Sequence, residues 1–255
     1  MVVSKIFLIF LLLSSGCGSK GMASSLADTI VAVKPSIVAV GTYQRIRTPP
    51  AQFLGTGFVI SDGLTIVTNA HVLPGTLDSK QREFLAVFAR EGAKSVVRGG
   101  KVIASDDKYD IAILKISGNP LPAMQLGESK KVREGDLYAF TGFPIGVVLG
   151  LHPVTHQGIV SAISPIAIPT QSSKQLNPQM IRQLGDPYDV FQLDATAYPG
   201  NSGSPLYEAG TGRVVGIINK VFVQGTKENI LQKPSGISYA IPIRYVKKLI
   251  KESNL

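Results

Sequence analysis

The chain has 255 residues, 26 glycines, 16 prolines and a formal net charge of +9; that length suits one ordinary domain or two small packed cores, and the turn-rich composition points to an all-β fold. The only cysteine is Cys17, which excludes an internal disulfide, and one cysteine with three histidines and no HExxH run argues against a metal site. The basic residues are scattered and no nucleic-acid recognition module or aromatic stacking pattern appears, so neither a cofactor nor a nucleic-acid partner is expected.

Residues 1–17 read as an export signal: Lys5, then the apolar run Ile6 to Leu13, then Ser14, Ser15 and Gly16 before Cys17. That run is too short to cross a bilayer core of about 30 Å as a helix. The segment resembles a bacterial lipoprotein signal, which implies lipidation at Cys17, a flexible tether over 18–25, and anchorage of an exported protein in the cell envelope. Ser14 departs from that pattern, where leucine is commonest. Leu26, Ile30 and Val33 then give a weak helical pattern, ended by Pro35.

Strands are predicted at Ile37–Val40, Gly55–Ile60 and Thr65–Thr68, the last two joined through Ser61-Asp62-Gly63, a hairpin signal. Further strands are predicted at Phe84–Phe88, Val96–Ala104 and Ile111–Ile116. Leu126 to Gly135 reads as a connector between halves. The second half carries strands at Asp136–Gly142, Thr155–Ile163, Val190–Leu193, Val214–Val223 and Ile237–Ala240, with a long polar insertion at 165–188 that has a helical turn near Gln179–Leu184. Pro242 suits the first position of a closing helix, whose apolar stripe is Ile243, Val246, Leu249 and Ile250.

The chemistry concentrates in Tyr198-Pro199-Gly200-Asn201-Ser202-Gly203-Ser204-Pro205-Leu206. A nucleophilic serine needs a base, and it needs backbone N–H groups aimed at the oxygen that becomes negative. Gly200 allows a tight turn that presents its N–H beside that of Ser202. All three histidines precede Ser202, so an order of serine, acid, histidine is impossible, and position 204 is serine rather than the second glycine of a G-x-S-x-G elbow. An aspartate ahead of the histidine is available only as Asp28 or Asp62, and Asp62 belongs to the hairpin turn. The remaining order is His71, just beyond a strand; Asp110, at the entrance of an apolar strand; then Ser202. His152 and His156 are separated by Pro153 and read as surface or packing residues.

Thr68-Asn69-Ala70-His71-Val72, Asp110-Ile111-Ala112-Ile113-Leu114-Lys115 and Gly200-Asn201-Ser202-Gly203-Ser204-Pro205-Leu206 resemble the three signatures of trypsin-like serine proteases. Gly55-Thr56-Gly57-Phe58-Val59, Gly142-Phe143-Pro144-Ile145-Gly146 and Gly158-Ile159-Val160-Ser161 are similar to intervening motifs of the bacterial HtrA (Deg) group. The resemblance, over about Ile30 to Ile250, implies two packed six-stranded antiparallel β-barrels with a short C-terminal helix. The protease domain would span 26–255, its first barrel about 26–127 and its second about 128–255. It implies catalytic His71, Asp110 and Ser202, with an oxyanion hole from Gly200 and Ser202 shaped by Asn201. It also implies a side-chain pocket floored by Ala195, Thr196 and Ala197, and a peptide strand along Ile217, Ile218 and Asn219. No acid lies in that floor, so a small or medium apolar residue before the cut is expected.

Three features depart from the family. PDZ domains usually follow the protease, and here the sequence stops after the closing helix, so a chain without one is expected. Ser204 stands where glycine is usual, and Pro199 precedes the oxyanion loop. The reading is an envelope-associated serine endopeptidase acting on unfolded or extended protein segments. The alternatives are a binding or chaperone module on a protease fold, and an esterase.

Overall fold

The computed structural model describes residues 25–92, 94–144, 152–166, 187–221 and 238–255. Helix α1 (Leu26–Val33) is capped by Ser25, whose hydroxyl accepts the Asp28 N–H at 3.2 Å. Asp28 itself sits in the first turn, where the helix dipole favours a negative charge. Pro35 lies in the short 3-10 turn that follows, and the chain becomes extended at Ile37.

Six strands make the first barrel: β1 (Ile37–Tyr43), β2 (Ala51–Ile60), β3 (Thr65–Thr68), β4 (Phe84–Glu91), β5 (Lys94–Asp106) and β6 (Ile111–Ile116). Six more make the second: β7 (Leu137–Gly142), β8 (Val154–Pro165), β9 (Asp189–Asp194), β10 (Pro205–Glu208), β11 (Val214–Val221) and β12 (Ser238–Pro242). Their spatial orders are β1-β2-β3-β6-β5-β4 and β10-β11-β12-β9-β8-β7, each closed and antiparallel throughout. Closure leaves no sheet edge exposed along the paired lengths. Helix α2 (Ile243–Glu252) packs its stripe of Ile243, Val246 and Leu249 into the core.

The period of two in a strand explains why the β1 and β6 runs are apolar on both sides. Val38, Val40 and Leu114 fill the first barrel, while Ile37, Ala39, Ile111 and Ile113 face the core shared with the second. Phe58 of β2 and Tyr207 and Ile217 of the second barrel join that shared core, all fully buried. Tyr138, Phe140, Phe191, Leu206, Val215 and Ile218 fill the second barrel. One apolar layer therefore bonds two barrels, and the loops at its rim are fixed relative to each other.

The expected architecture is the observed one. Strand β10 was not among the predicted strands, because it has four residues and opens with Pro205, a poor strand signal. Pro242 is not the first helical residue. It is the last residue of β12, paired with Gly216, and stays extended at φ −56° and ψ 136° as the cap of α2. The expected turn near 179–184, the signal at 1–17, the tether as far as 24 and the outer ends of the two strand predictions around 222–237 lie outside the described residues.

Asp62 behaves as its hairpin position demands. Its Oδ1 accepts the Leu64 N–H at 3.0 Å and the Thr65 hydroxyl at 2.9 Å, and its other oxygen pairs with Lys115. The Lys115 hydrogen bond chiefly, against the opposing effect of burial, lowers its pKa from 3.8 to about 2. The folded value lies below the unfolded one, so this group's contribution is complete above about pH 4 and is lost as pH falls through about 2. The side chain is 48% exposed, which keeps that contribution small. Asp62→Asn should therefore lower Tm slightly at neutral pH, with the gap from the parent closing in melts near pH 2. A gap that stays constant across the titration would contradict this account.

Candidate active site

The loop after β3 carries His71 within a short 3-10 turn, Ala70–Val72. The turn between β5 and β6 delivers Asp110, which is 8% exposed and adopts φ +52°. A residue with a Cβ in the left-handed region costs roughly 1–2 kcal/mol. The surrounding bonds hold it there. Its carbonyl accepts the Asn69 side-chain amide at 2.9 Å and the Ala70 N–H at 3.2 Å. Its carboxylate Oδ1 accepts the His71 N–H at 2.8 Å, and Oδ2 lies 2.5 Å from His71 Nδ1. A carboxylate only accepts, so the Nδ1–H donates and Nε2 of the neutral ring keeps its lone pair. The expected pair is thus brought together, with the acid behind the imidazole.

Ser202 comes from the other barrel, and Thr56 of β2 holds its turn against the first barrel. The Thr56 N–H donates to Ser202 O at 2.8 Å, and its hydroxyl donates to Gly200 O at 2.7 Å. The same oxygen accepts the Phe143 N–H at 3.0 Å, while Thr56 O accepts the Thr68 hydroxyl at 2.7 Å. Thr56 is fully buried, as are Thr68 and Asn69. Glycine permits this approach at two places. A Cβ on Gly203, whose φ is +88°, would lie 1.9 Å from Thr56 O. A Cβ on Gly55 would lie 2.7 Å from Val72, the neighbour of His71, and 2.9 Å from Ser202 O. The serine turn is docked on the strand corner that carries the histidine.

Within the turn, Asn201 N–H donates to Tyr198 O and Ser204 N–H to Asn201 O, each at 3.0 Å, and Gly200 takes φ +98°. Among the described residues the N–H groups of Gly200 and Ser202 have no acceptor. The Ser202 hydroxyl and His71 Nε2 likewise make no hydrogen bond, to each other or to a third group, among the described residues. In resting sites of this kind such a bond is often long and tightens with substrate.

The residues expected to bind substrate are placed less uniformly. Thr196 is exposed and Ala195 half-buried, but Ala197 is buried in the second-barrel core and its N–H donates to the Ser238 hydroxyl at 3.1 Å. Ile217 and Ile218 do not offer a strand edge. Both side chains are fully buried, Ile217 is flanked by Pro205 and Ile241, and the Ile218 N–H and carbonyl are bonded to Ser204 O and Gly203 N. Pairing with β10 ends at Ile217, so a further strand on that side of β11 has room only beyond Ile218. His156 packs its ring on Phe140 at 4.9 Å, and burial lowers its pKa. No group of three or more metal-ligating side chains gathers among the described residues.

Sequence reasoning gave Thr56, Thr68 and Asn69 no role of their own. A signal was available: each is a polar residue in or just after an apolar strand, where only a specific partner makes burial tolerable.

Two closed barrels, with a histidine–aspartate pair at the rim of one and a Gly-Asn-Ser-Gly turn from the other docked beside it, define the trypsin-like peptidase class. Residues 55–217 match the family model of the trypsin-like peptidase domain, and the chain belongs to that family. It is homologous to the HtrA and DegP proteases. It is 33% identical over 190 residues to a probable periplasmic serine endoprotease DegP-like of Halomonas elongata, covering 74% of this chain and 33% of that protein. To human serine protease HTRA4 it is 30% identical over 252 residues, covering 92% of this chain and 45% of the relative. Among solved structures, the HtrA-type protease AlgW with a tripeptide superposes with a TM-score of 0.63 at 28% identity, over 89% of this chain and 62% of that one. The chain thus spans a third to under half of the length of these two curated relatives.

Two substitutions test the docking. Thr56→Val keeps the shape but strands Gly200 O and the Phe143 N–H, and a buried group left unpaired costs about 1–3 kcal/mol. It should lower Tm and slow labelling of Ser202 by a fluorophosphonate; unchanged labelling would show that the hydroxyl does not set the turn. Ser204 is fully buried, and its hydroxyl has no partner among the described residues. Ser204→Ala should therefore stabilise by about 1 kcal/mol, a Tm rise of about 2–4 °C by calorimetry.

Proposed function

We propose that the protein is a serine endopeptidase that cleaves unfolded or extended protein segments through an acyl-enzyme. The observation that carries this reading is the 2.5 Å contact of His71 Nδ1 with Asp110 Oδ2, beside a serine turn docked on the same barrel. In the proposed reaction His71 Nε2 takes the Ser202 proton as the hydroxyl oxygen attacks the scissile carbonyl. The Gly200 and Ser202 N–H groups receive the developing oxyanion, with Asn201 holding the turn between them. The imidazolium then protonates the leaving amine, and water, deprotonated by the same ring, hydrolyses the ester. Asp110 keeps the ring in the tautomer this sequence of steps needs.

The substrate main chain is proposed to pair as an added strand along β11 beyond Ile218, on the Lys220 to Val221 backbone. Ala195 and Thr196 line the way to the side-chain pocket, and the absence of an acid on 195–197 supports a small or apolar residue before the cut. The relatives named periplasmic endoproteases support an envelope location. We place a lipoprotein signal at 1–17, with lipidation of Cys17, a tether over 18–25 and the protease domain at 26–255.

Digestion of an unfolded protein by the purified chain, read by mass spectrometry, tests the activity and the side-chain preference together. Ser202→Ala should abolish cleavage. Asp110→Asn should reduce kcat by about 10⁴, the cost of the wrong tautomer in a triad of this design. Cleavage that persists in Ser202→Ala would refute the mechanism, and full cellular function of that variant would favour the binding-module reading.

A further inference from the structure

Three tyrosines meet behind Asp110, and the chemistry above uses none of them. Tyr109 immediately precedes Asp110, Tyr188 leads into β9, and Tyr245 lies on α2. The rings of Tyr109 and Tyr245 stack with centroids 4.2 Å apart and planes at 18°. Tyr188 meets Tyr109 edge-on at 4.9 Å and Tyr245 at 5.5 Å. Tyr109 and Tyr188 are buried, and the ammonium groups of Lys108 and Lys248 lie 5.1 and 5.2 Å from the Tyr109 centroid, within cation–π reach. Arg244 caps the group: its guanidinium lies 4.8 Å from the Tyr245 ring and donates to the Asp189 carboxylate, next to Tyr188, at 3.0 Å. A turn of the first barrel, a strand of the second and the C-terminal helix converge on one point.

That turn is under conformational load, since Asp110 is left-handed at φ +52°. From the front it is held by Asn69, Ala70 and His71. From within, Asp106 Oδ1 accepts the N–H groups of Lys108 at 2.9 Å and Tyr109 at 3.1 Å. These bonds act on peptide groups and on the carboxylate. The Tyr109 ring is held instead by the aromatic group and the two ammonium groups beside it. Relaxing Asp110 toward an ordinary φ would swing its carboxylate off the imidazole or pull Tyr109 out of the stack, so the two contacts constrain each other. Tyr188 supports the proximity: burial first, then the charge of Asp110, raises its phenol pKa.

We infer that Tyr109, Tyr188 and Tyr245 are positioning residues for the Asp110 carboxylate, and that through them the C-terminal helix sets the orientation of His71. This rests on the acid–base reading given above, but its test does not need turnover. The full chain is compared with Tyr245→Phe and Tyr245→Leu by proton NMR of the downfield His71 Nδ1–H, assigned by its loss in His71→Ala. The kcat and KM for a peptide substrate are measured alongside. Tyr245→Phe should keep the resonance and the rate. Tyr245→Leu should broaden or lose the resonance and lower kcat about tenfold at constant KM, a barrier change of about 1.4 kcal/mol. Should the leucine variant not fold, Tyr245→Met retains more of the length and takes its place. A variant with a lower Tm but the parent's resonance and kcat would reduce the cluster to packing and overturn the inference. If the parent shows the resonance yet hydrolyses nothing, the peptidase reading falls while the resonance comparison still decides the cluster.

Discussion

The structure depends on one buried threonine. Through Thr56, the first barrel grips the serine turn of the second by main chain and side chain at once, at Ser202 O and Gly200 O. These are neutral hydrogen bonds, each worth about 1 kcal/mol net, but breaking one strands a group that water does not reach. The asymmetry makes the contact specific rather than merely adhesive. It also explains the glycines on either side, because no side chain fits between Gly203 and the Thr56 carbonyl. An apolar interface alone would hold the barrels together and leave their rotation loosely defined.

The second constraint is the carboxylate of Asp110. Burying it next to the shared core would cost several kcal/mol if it were unpaired. Two donors of one residue, the His71 N–H and Nδ1–H, meet it instead. Backbone and ring of the histidine are then fixed by the same group, which orients the imidazole. The left-handed backbone of Asp110 is the cost of that arrangement, and the bonds to its carbonyl offset it. Strain at such a point marks a position selected for geometry rather than for stability.

The serine turn carries a further expense. The Asn201 amide and the Ser204 hydroxyl are fully buried without partners among the described residues, against the usual rule that such atoms are bonded. The turn thus stores unfavourable energy next to two backbone N–H groups that also lack acceptors. The Thr56 contacts hold that turn against the first barrel.

The β content, eleven predicted strands that overlap observed ones as well as the closing helix, and the order of His71, Asp110 and Ser202 were legible in the sequence. Period-two runs such as Ile111 to Ile116 and turn signals such as Ser61-Asp62-Gly63 are local properties, written in neighbouring residues. The short β10 escaped because Pro205 masks it, and Pro242 was placed one element too late because its φ suits both a strand end and a helix start. What tertiary structure alone decided is which residues meet. Thr56 lies 146 positions before Ser202, and a polar residue inside an apolar strand signals that a partner is needed without naming which one. Ile217 and Ile218 read as candidates for peptide contact, yet closure of the second barrel uses their backbone and buries their side chains. Hydrogen-bond partners across a barrel interface are set by the packing of whole sheets, and that information exists only once the chain has closed on itself.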